Sequence, residues 1–292
     1  MPSSDVANAA PATDGVTVHH LTGDSKRSLL QQMNRSLHAV REQDARTVAL
    51  FALGRLLTSV GRSALRYGQR PALSDFDELG EATTDPATMA RLLGCPDTDF
   101  HQYLEEFAKC EAVRVRGSSA AVAARYPALF ASELNTQRVL YALVRAHRPD
   151  VVLETGVADG FSSFAILAAL DANSNGHLHS VDIQDDVGIV VPAALRSRWT
   201  VHINDHEMDL ERGFKDIVAG LPAVDFYYHD SGHTYLWQSF EYSAVAELIR
   251  TGGTFMSDDV DWSYAFIDHC KARRVTPGIM VEGRKVVGGY TA

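Results

Sequence analysis

Val151-Val-Leu-Glu-Thr-Gly-Val-Ala-Asp-Gly-Phe-Ser-Ser163 runs from an apolar segment into an acid, then two glycines four residues apart, then two serines that open a helical pattern. This is the form of a buried strand that turns into a helix around a nucleotide-like ligand. Gly156 and Gly160 let the backbone approach a ligand closely. The following helix N-terminus leaves N–H groups without intrahelical partners.

A dinucleotide site would call for G-x-G-x-x-G, so that the pyrophosphate can rest on the helix N-terminus. Here Ala158 and Phe161 occupy the second and third glycine positions, and no P-loop lysine follows. The acid Glu154 before the turn suits a ligand carrying positive charge rather than a diphosphate. A second acid, Asp182, ends the next strand in His179-Ser-Val-Asp-Ile183. An acid there can accept hydrogen bonds from both ribose hydroxyls. Together these describe S-adenosylmethionine better than a nicotinamide dinucleotide.

Outward from this turn, strands and helices alternate. A helix over 133–146 precedes strand 150–154. Helix 161–170, strand 178–183, strand 199–203, a helix near 208–219, strand 223–229, helix 235–250 and strand 253–257 follow. Such alternation predicts an α/β fold with a parallel sheet and helices on both faces. Gly278 to Gly288 reads as a hairpin closing the sheet edge. The organisation expected is a mobile arm (1–20), a mainly helical N-terminal region (21–130) and a catalytic domain (131–292). Apolar residues recur at helix spacing from Ser25 to about Gly68. Asp85-Pro86 is a helix start, with that helix ending near Gly94. A second helix, from about Thr98 to Ala108, leads into a strand-like Ala112–Arg116. That succession resembles a winged helix, but its surface is acidic, so an oligomerisation or substrate-covering role fits it better than DNA binding.

Val152–Gly160 and Val181–Ile183 resemble motifs I and II of class I S-adenosylmethionine-dependent methyltransferases, over roughly residues 131 to 292. The resemblance implies a Rossmann-like seven-stranded sheet with a C-terminal antiparallel hairpin. By it, Glu154, Gly156, Gly160 and Ser162 line the methionine and ribose region, Asp182 holds the ribose, and Asn204-Asp205 falls where adenine is met. The opposing reading makes Glu154 a loop acid and the glycines mere chain turns.

A second constellation lies downstream. Val224-Asp-Phe-Tyr-Tyr-His-Asp-Ser-Gly-His-Thr-Tyr235 and Gly252-Gly-Thr-Phe-Met-Ser-Asp-Asp-Val260 place Asp230, Asp258 and Asp259 at the carboxyl ends of neighbouring strands. Three carboxylates in one crevice repel one another, so something positive belongs there, and oxygen ligands select a hard divalent ion such as Mg2+, Mn2+ or Ca2+. These residues resemble metal-dependent O-methyltransferases of the catechol type and bacterial enzymes that modify sugars and polyketides. The resemblance implies Asp230, Asp258 and Asp259 as metal ligands, Asp230 also as a catalytic residue, and His233 as general base. Asp259 stands where the family also carries Asn. The alternatives are a polar loop histidine at 233 and, at 258 and 259, a helix cap plus a solvated acid. His229 alternates away from Asp230 and reads as structural. Tyr235, Trp237, Trp262 and Tyr264 are either an aromatic wall for the acceptor or ordinary packing. Asp261 either caps the following helix or contacts the acceptor.

The formal charge of −10 over 292 residues argues against a general nucleic-acid binder. Cys95, Cys110 and Cys270 lack metal-ligand spacing and imply no disulfide framework, which fits a reduced, cytoplasmic setting. The N-terminus has no signal-peptide pattern, and no apolar run reaches the ~20 residues of a membrane span. The expectation is an S-adenosylmethionine- and Mg2+-dependent O-methyltransferase of a small, specialised metabolite. A homodimer or larger oligomer is expected through the N-terminal helices. Metal-independent N- or C-methylation and a cofactor-binding protein without turnover are the rival readings.

Overall fold

The computed structural model describes residues 68–80, 82–117, 126, 131–205, 209–283 and 285–292. The expected arm and the helical pattern from Ser25 to about Gly68 lie outside the described residues, apart from Gly68 itself.

Helix α1 (Pro86–Leu92) starts as its sequence requires. Asp85 accepts hydrogen bonds from the Ala87 and Thr88 backbone N–H groups, and proline fills the first turn. Helix α2 (Asp97–Gly117) corrects one expectation: Ala112–Arg116 is not a strand but the last turns of this helix. Phe100 and Phe107 are buried at helix spacing, and Arg114, seven residues after Phe107, lays its guanidinium 5.2 Å from the rings of Phe161 and Phe164. That seam carries the helix past the short alternating run, so the strand of the expected winged succession is helical instead.

Among the described residues, eight strands make one sheet: β1 (Ala82–Thr83), β2 (Val151–Thr155), β3 (His177–Asp182), β4 (Trp199–Ile203), β5 (Val224–His229), β6 (Ile249–Ser257), β7 (Gly278–Glu282) and β8 (Lys285–Thr291). Their order is β1-β7-β8-β6-β5-β2-β3-β4. All neighbours are parallel except β8, which runs antiparallel to β6 and β7. The seven expected strands are present. The terminal hairpin does not close the edge, because β1 pairs outside it with β7. Helices α3 (Leu134–His147), α4 (Phe161–Asn173), α5 (Leu210–Ala219), α6 (Tyr235–Ala246) and α7 (Ala265–Arg273) complete the fold. The helix expected over 235–250 stops at Ala246. Ile249 already pairs with Val224, and Arg250 reaches the Asp225 carboxylate at 2.7 Å, so this segment joins the sheet.

Both faces of the central strands are covered, which explains the buried runs Val151–Thr155 and Phe226–His229. Val152, Leu178, Phe226, Tyr228 and Met256 face one core with α1 to α4. Val151, Leu153, Tyr227 and Phe255 face the other with Phe214, Tyr242 and Phe266. The strand order reverses between β2 and β5, the switch point beyond whose carboxyl ends such sheets bind their ligands. Among the described residues, no helix is long and apolar enough to cross a membrane.

Candidate active site

The turn after β2 holds Gly156, Ala158 and Gly160 at φ of 83°, 48° and 89°. A Cβ at Gly156 would lie 1.9 Å from the carbonyl oxygen of Asp230, and one at Gly160 would lie 2.8 Å from the Cα of Gly188. The Asp230 N–H donates to the Thr155 carbonyl at 2.7 Å. In the structure, then, the close approach these glycines permit is between protein loops: the exit of β5 closes directly onto the exit of β2.

Glu154 is fully buried and accepts from the hydroxyls of Ser162, Ser163 and Ser180, each at 2.6 Å. Burial pushes its carboxyl pKa up against the pull of those three hydroxyls. Glu154 and Ser162 therefore satisfy each other, tying the start of α4 to β2 and β3. Asp182 turns back over the same loop. It accepts from the N–H groups of Val157 at 2.8 Å and Gln184 at 2.9 Å, with a longer contact from Ala158. A carboxylate has about four lone-pair sites, so Asp182 keeps capacity for a ligand hydroxyl. Beside it, Gln184 Nε2 and Asn204 Oδ1 are buried without a hydrogen-bond partner among the described residues. Buried polar groups are seldom left so, and these two lie just beyond the ends of β3 and β4, where a nucleoside would meet them. Asp205, next in the chain, is exposed.

The exits of β5 and β6 carry the second group. One ligand atom from each of Asp230, His233 and Asp259 lies within 4.8 Å of the others. His233 Nε2 is 3.2 Å from Asp259 and 4.0 Å from Asp230. Asp258 is not part of this convergence. It is fully buried and accepts from Lys285 Nζ at 2.6 Å, while the same ammonium lies 3.8 Å from Asp259. Asp259 itself adopts a left-handed conformation, φ 49°, which is uncommon for a residue other than glycine. Strain of this kind collects at functional sites.

The electrostatics are lopsided. Burial, and then the Asp258 charge, raise the Asp230 carboxyl well above its ordinary pKa, and the same causes push Asp259 up to about 7. Burial lowers His233 well below the usual imidazole value, aided by His229, Lys285 and Arg70. Lys285 goes the other way: burial opposes its charge, but the carboxylates of Asp230, Asp258 and Asp259 outweigh it. One ammonium faces three acids.

Lys285 is the residue that the sequence did not reveal. It stands beside a hairpin turn, where a lysine ordinarily faces water, and no linear spacing links it to Asp258. His229 does act structurally: its Nδ1 is 2.6 Å from Glu241, which also accepts from Thr155 and Ser231. Of the four aromatic residues, Tyr235 donates to Asp268, Tyr264 to Asp75 and Trp237 to Ser231. Trp262 is 42% exposed, with its ring 6.0 Å from that of His233 and the Arg70 guanidinium 3.5 Å above it. Asp261 does not cap α7. That helix begins at Ala265, and its first N–H donates to Ser263 Oγ.

Residues 153–260 match a family model described as a methyltransferase domain. No curated protein matches the sequence. Among solved structures, an O-methyltransferase from Bacillus cereus in complex with SAH is 13% identical, covers 74% of this chain and 100% of its own, and has a TM-score of 0.47. A methyltransferase from Geobacter sulfurreducens is 17% identical over 64% of this chain and 88% of its own, TM-score 0.43. The O-methyltransferase TomG from Streptomyces achromogenes, involved in tomaymycin synthesis and solved with SAM, is 16% identical over 64% and 90%, TM-score 0.42. The family match spans both acidic loops, so residues 153–260 carry a methyltransferase domain, on a strand order that brings those loops to one side of the sheet.

Proposed function

We propose that the chain is a divalent-metal-dependent O-methyltransferase acting on a hydroxyl of a small, specialised metabolite. The observation that carries this reading is the convergence of Asp230, His233 and Asp259 beside the loop after β2. The donor set fits an ion. Two carboxylates and an imidazole offer hard oxygen and one nitrogen, Lys285 leaves negative charge in excess, and His233 Nδ1 is buried without a partner among the described residues. Asp230 and Asp259 would hold it, with Mg2+ the first candidate.

When bound, the ion lowers the pKa of the acceptor hydroxyl and fixes its position. His233, kept neutral by burial, offers a lone pair to take the hydroxyl proton. Asp182 with Gln184 and Asn204 would hold the nucleoside. The Asp230 N–H to Thr155 bond fixes the acceptor side against the cofactor side, so that the two reactants meet in a set orientation. Lys285 holds Asp258 away from the ion. Trp262 would bear on the acceptor. A reduced cytoplasmic setting and self-association through the N-terminal helices belong to the same proposal.

A second reading is favoured by the 3.2 Å approach of His233 to Asp259: His233 completes the ligand set instead of acting as base. Turnover is measured as S-adenosylhomocysteine release with a pool of hydroxylated aromatic and sugar acceptors. Chelation should abolish it and Mg2+ or Mn2+ restore it; full turnover by metal-free protein would overturn the metal assignment. In His233→Ala, retained metal binding with lost turnover marks a base, and loss of both marks a ligand.

A further inference from the structure

A histidine cluster sits outside that site, on the outermost pair of parallel strands. Alternate residues of a strand share a face, so His177 and His179 of β3 stand with Thr200 and His202 of β4, the edge strand. His179 Nδ1 and His202 Nε2 are 3.1 Å apart, and their rings stack at 5.3 Å with 25° between planes. The His177 ring lies 4.9 Å from that of His179, and its Nε2 is 2.8 Å from the Thr200 hydroxyl. All three side chains are half-buried and reach solvent.

We infer that His179 and His202 form a binding site for a borderline divalent transition ion of the Zn2+, Ni2+ or Cu2+ kind. Zinc–imidazole bonds are about 2.0–2.1 Å, so nitrogens this far apart subtend an angle of about 100° at a shared ion, between the octahedral and tetrahedral values. The hydrogen bond that now joins them uses one N–H and one lone pair. An ion in its place needs two lone pairs, which the rings supply when the bridging proton moves to the far nitrogen of its own ring. No net proton leaves. Metal binding by histidine competes with protonation, and here that competition is weak: burial holds His177 and His202 below the usual pKa and His179 at about 4. The set offers nitrogen alone, so Mg2+ and Ca2+, which require oxygen, are excluded. Arg198 bears on His177, which makes His179 and His202 the principal ligands. A bound ion would clamp β4 to β3 just before Asn204.

Isothermal titration with Zn2+ tests this on the full chain carrying Asp230→Asn, His233→Asn and Asp259→Asn, which disables the other metal group. One equivalent of Zn2+ should bind, and adding His202→Asn or His179→Gln should weaken it at least tenfold with circular dichroism unchanged. No binding in the triple variant, or binding indifferent to both histidine changes, would overturn the site. If the triple variant does not fold, Cu2+ electron paramagnetic resonance on the wild-type chain takes its place. Imidazole nitrogen couplings lost in His202→Asn support the inference, and couplings unchanged in it refute it. Neither outcome depends on methyl transfer.

Discussion

Lys285 Nζ lies 2.6 Å from the Oδ2 atom of Asp258, joining the start of the last strand to the end of β6 beneath the acidic crevice. Both side chains are buried, and Asp258 has no exposed surface. Removing one partner of a buried ion pair leaves the other charge uncompensated, at a cost of about 3–5 kcal/mol. Lys285→Met should therefore lower the urea-derived unfolding free energy by that order. Adding Asp258→Asn to Lys285→Met should recover much of it. A double variant no more stable than Lys285→Met would show that the pair is not coupled.

Asp230 and Asp259 act, on the proposal above, without touching the nucleoside. Asp230→Asn and Asp259→Asn should each reduce turnover on the order of a hundredfold or more, while S-adenosylhomocysteine affinity changes little. His233→Ala, removing a general base, should cost on the order of 10²–10⁴-fold. Calorimetry with S-adenosylhomocysteine beside turnover separates the two effects, and a parallel fall in both would move these residues into the cofactor site.

Gly156→Ala should be far more damaging than Gly252→Ala. Both glycines have φ near 80°, where any other residue costs roughly 1–2 kcal/mol. Around Gly252 nothing lies within 4 Å, so only that strain applies. At Gly156 the new Cβ would strike the Asp230 backbone, pushing the acidic loop away from the cofactor loop. The expected outcome is a larger loss of stability together with loss of turnover, read from urea midpoints and activity of the two variants.

Stability should fall on acidification between about pH 6.5 and 4. His179 and the buried His269, which sits 2.8 Å from the Tyr290 hydroxyl, are each lowered by burial to about 4. Between the unfolded imidazole value, about 6.5, and 4, the unfolded chain binds more protons than the folded one, so protons favour unfolding there. Asp259 opposes this trend in metal-free protein. Its raised pKa makes the folded state bind the extra proton from about pH 4 to 7, so its contribution declines as pH rises through that window. Urea midpoints across this range should show a steeper acid loss in Asp259→Asn than in the parent, and an equal slope would contradict the assignment.

The parallel sheet was legible because short strand-forming runs alternate with helical ones, with acids at several of the strands' carboxyl ends. Asp230, His233 and Asp259 were legible for the same reason: strand exits in a parallel sheet share one side. The Ala112–Arg116 error came from a short alternating run inside a helix, where Arg114 packs on Phe161 and Phe164, some fifty positions on. Chain-local pattern carries no record of such packing.

By itself the sequence determined the alternating α/β architecture, the turn after β2 and the acids at the strand ends, because each depends on residue type and short spacing. Only the tertiary structure decided how those parts meet. It put the Asp230 carbonyl where a side chain at Gly156 would be, set Asp259 in a left-handed conformation beside His233, and brought Lys285 from the last strand to meet Asp258. These are contacts between segments far apart in the chain, and the compensation of buried charge is set by distance in space.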